Sequence, residues 1–202
     1  MDAARKMKWL FWLGFLLFGA GCSMNGDLMT RLVAKKSPKQ VCRVAILPFE
    51  NQTDNLEAAT LAYRIFYSEM IAADLVDVVS EGDVRLFLLR NRLRPGPVLD
   101  ANHFEDLAKH LGVDAVVTGT LVEVGMDNRN GGEKIPFVAL KLDMYDVQEG
   151  QRLLNTFHRR WGDDYRKTLH FGVVRTLSGV VAHLSEEILE DWREKGVGDC
   201  KR

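Results

Sequence analysis

The fold of this chain is limited most strongly by one short, uninterrupted apolar run, Val44–Phe49. A strand with one exposed face alternates apolar and polar residues, so a continuous run is typical of a strand that is covered on both faces. Pro48 cannot donate a hydrogen bond to a neighbouring strand, so it ends the pairing. A strand covered on both faces predicts a sheet with helices packed against it.

Three helices are predicted between this strand and the middle of the chain. Capping residues mark their starts, at Asp54, Ser80 and Asp100. A short second strand, 76–79, lies between the first helix and the second. Gly112 ends the third helix, at the position where glycine is favoured because it adopts a positive φ.

The second half of the chain is predicted to be mostly β-structure, followed by one helix. A third strand, 115–122, is followed by a polar loop, 125–134, and then by two segments of period-two alternation, 136–147 and 151–161, which form an antiparallel hairpin. The periodicity of residues 165–195 predicts a long C-terminal helix. The predicted class is α/β (α+β), a mixed sheet of about five strands with helices packed on it, in the order β-α-β-α-α-β-β-β-α.

The first 22 residues have the parts of an export signal. A basic start, 2–8, precedes the apolar segment Trp9–Ala20, which is shorter than the ~20 apolar residues that a membrane span needs. Its end, Ala20-Gly21-Cys22, resembles a bacterial lipoprotein signal, in which the cysteine is lipidated and becomes the mature N-terminus. The alternative is an ordinary signal peptide, whose removal releases a soluble periplasmic protein.

Four regions follow from this interpretation. They are a lipoprotein signal peptide, 1–21; the lipidated Cys22 with a flexible tether, 22–40; a single α/β domain, 41–195; and a C-terminal tail, 196–202. Ser23 stands where lipoproteins kept in the inner membrane carry an aspartate. The resemblance therefore implies fatty-acyl chains such as palmitate on Cys22, an anchor in the outer membrane and a domain on its periplasmic face.

Three segments of the domain together resemble a family of periplasmic lipoproteins. This group includes the penicillin-binding-protein activator LpoB, the curli secretion protein CsgG and the N-terminal domain of TolB. The segments are Arg43–Thr53, 76–79 and Leu107–Thr120, the last with a Gly-x-Asp-x-x-x-x-Gly pattern. The resemblance implies the fold and a non-enzymatic part in a cell-envelope assembly.

Two departures from this family limit what the resemblance implies. A CsgG-type pore needs long membrane-spanning hairpins, and the connection 125–134 is too short and too charged to supply one. An LpoB-type activator must cross the peptidoglycan on a long tether, and the segment 23–40 is short for that purpose. We therefore do not expect a pore subunit, and the activator function is not favoured.

The sequence offers no convincing catalytic or metal site. Its five histidines are His103, His110, His158, His170 and His183. His103 and His110 lie seven apart on one predicted helix and are interpreted as solvated helix histidines, and His158 lies beside Arg159 and Arg160, which make a poor setting for a cation. Asp163 and Asp164 are interpreted as caps of the C-terminal helix rather than as a catalytic pair. Motifs for a nucleophilic serine or a phosphate loop are absent. We therefore expect no enzymatic activity, no cofactor and no metal.

The remaining expectation is that the protein binds another envelope protein. A formal net charge of −1 gives no electrostatic reason to expect nucleic acid. Within the strand 136–147, Phe137 and Tyr145 lie on the face opposite to the apolar set. If no helix covers that face, both are exposed aromatic residues of the kind found in protein interfaces. If helices pack on both faces, they are ordinary core residues, and the sequence leaves both possibilities open.

A different class of function would use the loop after the first strand. Glu50, Asn51 and Thr53 follow the carboxyl end of that strand, where open α/β sheets bind ligands. The alternative function is therefore a soluble periplasmic ligand-binding protein or hydrolase.

Two cysteines remain after Cys22 is lipidated. The predicted topology brings Cys42, at the start of the first strand, to the same end of the domain as Cys200, after the last helix. Because the periplasm is oxidising, these two residues are predicted to form a disulfide. The alternative is two free thiols, one of them on a frayed tail.

Overall fold

The computed structural model describes residues 29–33, 38, 41–96, 98–128, 133–167 and 171–199. These residues form seven strands and four helices. The strands are β1 Met29–Leu32, β2 Arg43–Ile46, β3 Glu50–Asn51, β4 Asp77–Val78, β5 Ala115–Asp127, β6 Ile135–Asp146 and β7 Arg152–Trp161, and the helices are α1 Ala58–Ala73, α2 Glu81–Arg90, α3 Ala101–Leu111 and α4 Leu177–Glu194. The predicted class, with a mixed sheet and a C-terminal helix, is confirmed.

All seven strands belong to one sheet. Its order is β1-β7-β6-β5-β2-β4, and β3 pairs with β5 beyond the end of β2. The pairs β2–β4, β2–β5 and β3–β5 are parallel, whereas β5–β6, β6–β7 and β7–β1 are antiparallel. Helices lie in the connections between the parallel strands, and a short turn joins the antiparallel strands β6 and β7.

Helices cover the two faces of the sheet unequally. On one face, α1 and α4 bury the main core, which includes Phe66 and Trp192 at 5.9 Å between ring centroids. On the other face, α2 and α3 pack over Ala45, Leu47 and Val116, which belong to β2 and the loop after it and to the start of β5. Neither of these two helices reaches the far part of β6 and β7, so one part of the sheet has no helix over it among the described residues.

Two of the three predicted helix starts are confirmed by their caps. The hydroxyl of Ser80 accepts a hydrogen bond from the backbone N–H of Asp83, and the carboxylate of Asp100 accepts one from that of His103. Gly112 ends α3 at φ 61°. The cap at Asp54 is wrong, because α1 begins at Ala58 without any side-chain cap.

The predicted flexible tether, 22–40, differs from the structure in its second half. Met29–Leu32 form an edge strand that pairs with β7, so the sheet has more strands than the five expected. The outer edge of β7 would otherwise present unpaired N–H and C=O groups. A segment of four residues is too short to show a period-two pattern, so this strand could not be predicted from its own residues.

The hairpin and the last helix also differ from the prediction. The strand β5 continues to Asp127, well into the predicted loop 125–134, and a bulge follows Leu121. The last helix begins at Leu177 rather than at residue 165, because Gly172 has φ 88° and the side chain of Thr176 provides a new cap. A Cβ on Gly172 would lie 2.6 Å from the carbonyl oxygen of Tyr165, so this turn needs glycine.

The predicted C-terminal tail, 196–202, begins as part of the folded domain. Val197 is buried in the main core, and its N–H donates a hydrogen bond to the carbonyl of Trp192. Gly198, at φ 86°, packs its backbone against Leu75. The domain therefore extends beyond residue 195.

Candidate functional site: an open sheet face

The uncovered part of the sheet forms a surface that we call the open sheet face. Side chains of a strand alternate between the two faces, so every second residue of β6 and β7 points away from α1 and α4. The open sheet face consists of Glu123, Phe137, Lys141, Asp143, Asn155, Phe157, Arg159 and Trp161. These side chains form two groups, one aromatic and one polar.

The aromatic group is held together by an arginine. Phe137 and Trp161 are paired across β6 and β7, and their ring centroids are 4.6 Å apart. The guanidinium carbon of Arg159 lies 5.6 Å from the centroid of Phe137 and 5.5 Å from that of Trp161, which is cation–π distance. Arg159 is also paired with Glu123 at 2.9 Å. Both charged side chains keep nearly half of their surface exposed.

A small residue allows this ion pair to form across three strands. Ala139 pairs with Glu123 on one side and with Arg159 on the other. Although Ala139 lies on the open sheet face, it is fully buried, because the two longer side chains meet above it. The ion pair therefore covers the middle of the sheet where a helix is missing.

The polar group is centred on a buried carboxylate. Asp143 accepts a hydrogen bond of 2.6 Å from the amide of Asn155 and is paired with Lys141 at 3.3 Å and Arg152 at 3.2 Å. Only 6% of Asp143 is exposed, so its charge is compensated by its neighbours rather than by water. This arrangement gives a flat, charge-balanced surface with an aromatic patch at one end.

The structure separates the two aromatic residues predicted to form a partner surface. Phe137 lies on the open sheet face and is half-buried. Tyr145 packs under α3 against Phe104, at 5.9 Å between centroids, and its hydroxyl accepts a hydrogen bond from Arg152. Tyr145 is thus part of the second core, whereas Phe157, Arg159 and Trp161 of the next strand join Phe137. Alternation along 151–161 was the signal in the sequence for these three residues.

The segment proposed as a ligand loop is mostly strand and turn. Glu50 and Asn51 form β3, and Glu50 accepts a hydrogen bond from Thr120 at 3.3 Å. The side chain of Asn51 donates to the carbonyl of Asn55 and accepts from both the N–H and the hydroxyl of Thr53. These polar atoms thus hold the turn before α1, which reduces what they offer to a ligand.

A buried polar cluster joins β7 to α4 on the opposite face. His158 is fully buried, and its Nε2 is hydrogen-bonded to the carboxylate of Glu187, which also accepts from Nε of Arg160 at 2.9 Å. Nδ1 of His158 has no hydrogen-bond partner among the described residues. Because the carboxylate of Glu187 is the acceptor, Nε2 of His158 is the donor in this hydrogen bond.

This cluster shifts the pKa of its carboxylate. Burial alone raises the pKa of Glu187, but the hydrogen bond from His158 and the positive charge of Arg160 outweigh burial and lower it from 4.5. Burial and the charge of Glu187 raise the pKa of Tyr165, which lies nearby. The signal for Glu187 in the sequence was its place between Leu184 and Ile188, on the apolar stripe of the last helix.

The sequence associated His158 with both neighbouring arginines, and the structure corrects this. Arg159 points to the open sheet face, so only Arg160 shares a partner with His158. Asp164 does not cap the last helix, because it accepts a hydrogen bond from the N–H of Trp161 in the turn after β7.

Two general searches of the described residues gave no candidate. No group of three or more histidine, cysteine, aspartate or glutamate side chains is placed to hold a metal ion within the described ranges. In the same part of the chain, every helix is too short or too polar to cross a bilayer.

Cys42 is disulfide-bonded. It lines an open groove of about 700 Å³ together with Arg43, Asp77 and Gly198. The other two cysteines, Cys22 and Cys200, lie outside the described residues, as does the predicted signal peptide 1–21. The pairing of Cys42 with Cys200 therefore stays a prediction, which the position of Gly198 supports.

No protein-family model matches the chain, and no curated protein matches it. Several solved structures share its fold. The PelC dodecamer from Paraburkholderia phytofirmans is 16% identical, with 87% of this chain and 99% of that chain covered and a TM-score of 0.55. Lipoprotein GNA1162 from Neisseria meningitidis is 15% identical, with 76% of this chain and 99% of that chain covered and a TM-score of 0.51.

The C-terminal domain of LpoB from Escherichia coli is more distant. It is 16% identical, with 59% of this chain and 82% of that chain covered and a TM-score of 0.43, which is too low to carry an argument. At these identities the likenesses show the fold alone. They bear out the resemblance to a lipoprotein fold, and the resemblance to CsgG and TolB stays an expectation.

Proposed function

We propose that this protein is a non-enzymatic accessory lipoprotein of the cell envelope that binds another envelope protein through the open sheet face. Acyl chains on Cys22 anchor it in the outer membrane, and the domain faces the periplasm. The single observation that carries this proposal is a sheet face that no described helix covers and that holds Phe137, Trp161 and Arg159 in one stack.

The chemistry of the open sheet face fits a protein partner. Binding energy in protein interfaces is concentrated in tryptophan, tyrosine and arginine that are surrounded by weaker polar contacts. Here Trp161 and Arg159 share the open sheet face with Phe157, of which 36% is exposed, and Glu123 and Asp143 compensate the positive charges beside them. A partner that offers both an apolar side chain and paired charges would match this surface.

The comparisons support the cellular setting only by analogy. GNA1162 is a lipoprotein and PelC is a dodecamer. Proteins with this fold therefore include a lipoprotein and an assembly of twelve copies. Neither observation identifies the partner of the present chain.

The alternative, a soluble ligand-binding protein or hydrolase that uses Glu50, Asn51 and Thr53, has less support. The side chains of Asn51 and Thr53 are hydrogen-bonded to each other and to the turn before α1. A ligand would have to break these bonds before it could use the same atoms.

Capture of partners from solubilised envelope tests the proposal. The wild-type protein is compared with Phe137→Ala and Phe157→Ala, and with Leu86→Ala as a control, because Leu86 is 61% exposed on α2, away from the open sheet face. A hot-spot residue contributes about 2 kcal/mol, so we expect roughly 30-fold weaker binding of one partner by the Phe137 variant.

The same experiment separates the two functions. Equal capture by the wild-type protein and both phenylalanine variants would contradict the open sheet face as the binding surface. A small molecule retained on the purified domain, together with no protein partner, would favour the alternative. Thermal unfolding of each variant shows whether weaker capture arises from a loss of folding.

A further inference from the structure

We propose that the anchored domain rests on the membrane surface with one particular end of its sheet, where Met126, Trp161 and Phe171 enter the lipid headgroup region. We call the part formed by Met126, Trp161, Arg166, Lys167 and Phe171 the membrane end. This inference rests on the proposed lipid attachment at Cys22. It adds which end of the domain faces the lipid and which side chains contact it.

The first argument is the direction and length of the chain ahead of β1. Met29 pairs with Phe157, and because β1 is antiparallel to β7, Met29 is the residue of β1 that lies nearest to Trp161. Trp161 is four residues beyond Phe157, or roughly 13 Å along the strand. Cys22 is seven residues before Met29, which allows a reach of at most about 25 Å. The anchor is therefore short and leads to this end of the sheet.

The second argument is the apolar character of this end. Met126 is 51% exposed near the end of β5, and Phe171 is 75% exposed in the loop after β7. Backbone hydrogen bonds hold this loop: among them, the N–H of Gly162 donates to the carbonyl of Pro136, and that of Lys167 donates to the carbonyl of Phe171. Tryptophan beside exposed apolar residues is typical of membrane–water interfaces.

The opposite end of the sheet is different. The turn between β6 and β7 consists of Val147, which is buried, and the polar or small residues 148–151. The exposed large apolar side chains nearest to this turn are Leu32 and Val33 on the edge strand, beside Leu154 and Leu153, and none lies in the turn itself. An orientation with this turn toward the membrane would place polar groups in the headgroup region and leave Phe171 in water.

Charge is a minor part of the contact. Arg166 and Lys167 are exposed and able to meet lipid phosphates. The charged residues described around this end are Asp127, Glu133, Lys134, Asp163, Asp164, Arg166, Lys167 and Arg175, four of each sign. Because these charges cancel, we expect the contact to depend on the aromatic and apolar side chains and to form on uncharged phosphatidylcholine.

Tryptophan fluorescence provides a selective test. The chain has four tryptophans, of which Trp9 and Trp12 lie in the predicted signal peptide. Trp192 is fully buried in the main core, so Trp161 is the one that lipid can reach in the mature protein. The lipidated full-length mature protein is placed in vesicles of phosphatidylcholine with and without bromine on the acyl chains near the headgroup.

We expect brominated lipid to quench the wild-type emission several-fold more than that of Trp161→Phe, in which only Trp192 remains. Trp161→Phe serves here only as the fluorescence baseline, and thermal unfolding of the variant shows that it is folded. A second variant, Phe171→Ser, should reduce the quenching of Trp161 without removing the protein from the vesicles, because the acyl chains remain.

Other outcomes overturn the inference and are distinguishable from one another. If the protein floats with the vesicles but Trp161 is unquenched by brominated lipid and open to aqueous iodide, the membrane end is free and only this inference fails. If Trp161 is shielded from iodide yet unquenched by lipid, a protein or a second copy covers it, and the inference fails again. If the protein does not float with the vesicles, the proposed anchor fails as well.

Discussion

Replacing Glu187 with glutamine should destabilise the fold in a pH-dependent way. In the native structure, one carboxylate oxygen of Glu187 accepts hydrogen bonds from both His158 and Arg160 and thereby ties α4 to β7. The substitution Glu187→Gln keeps the size of the side chain but removes its charge. The amide oxygen can still accept one hydrogen bond. The amide N–H₂ group, however, would lie against the donors of His158 and Arg160 and could not accept from either.

The magnitude follows from the burial of the three groups. A hydrogen bond to a charged group contributes about 1.5–3 kcal/mol, and two are made here. The side chain of Glu187 is 32% exposed, which reduces the contribution, whereas that of Arg160 is only 14% exposed and would lose its partner. We expect the free energy of unfolding at pH 7 to fall by about 2–3 kcal/mol, or roughly 4–12 °C in Tm.

The sign of the pH dependence follows from the lowered pKa of Glu187. A carboxylate with a lower pKa in the folded state stabilises the fold above its unfolded pKa of 4.5, and this contribution is lost as the pH falls through the folded pKa. Urea titrations of the wild type and Glu187→Gln should therefore converge below about pH 4.5. The neighbouring Glu186→Gln is the matched control, because Glu186 is 58% exposed and pairs only with His183, itself exposed. A deficit at pH 7 no larger than that of the control, or one unchanged at low pH, would refute the reasoning.

Three further perturbations have clear expectations. Gly119→Ala should lower the free energy of unfolding by about 1–3 kcal/mol, because the new Cβ would lie 2.3 Å from the buried ring of Phe49. Gly82→Ala, whose new Cβ would lie 3.7 Å from its nearest neighbour, should instead stabilise α2 by about 0.5–1 kcal/mol. Denaturant unfolding of the two variants is the check. Thiol counting on unfolded, unreduced mature protein should give no reactive thiol if Cys42 and Cys200 are bonded, and two per chain would rule this pairing out. Cys22→Ser should leave an uncut precursor or a protein in the soluble fraction, and fractionation with the outer membrane as before would show that the lipoprotein assignment is wrong.

The elements that the sequence predicted well are those with strong local signals. The run Val44–Phe49 indicated a strand covered on both faces, and residues 44–47 are fully buried between helices in the structure. The caps at Ser80 and Asp100 and the glycine at 112 placed helix ends because each satisfies orphan backbone groups through its own side chain or backbone geometry. Such signals do not depend on distant residues.

The elements that the sequence missed depend on partners far along the chain. The strand β1 forms because β7 offers an unpaired edge, and its register is set by residues 154–157 rather than by its own pattern. The start of α4 is set by the turn at Gly172. The helical periodicity continues on both sides of this turn, so the predicted helix wrongly included it.

The candidate site shows the same limit. Alternation placed Phe137 and Tyr145 on one face, but it could not show that α3 covers Tyr145 and stops short of Phe137. Arg159 and Glu123 meet only because Ala139 between them is small. The residue pattern of a single strand cannot predict an ion pair that spans three strands. The open sheet face could therefore be identified only from the structure.

The most direct test of the central claim is site-specific photo-crosslinking in intact cells. A photoreactive amino acid at position 157, on the open sheet face, is compared with the same residue at position 86, on the exposed face of α2. The account predicts a single envelope protein crosslinked from position 157 and not from position 86, and loss of that product in a Phe137→Ala background. Equal labelling from both positions, or crosslinking from position 86 alone, would contradict it.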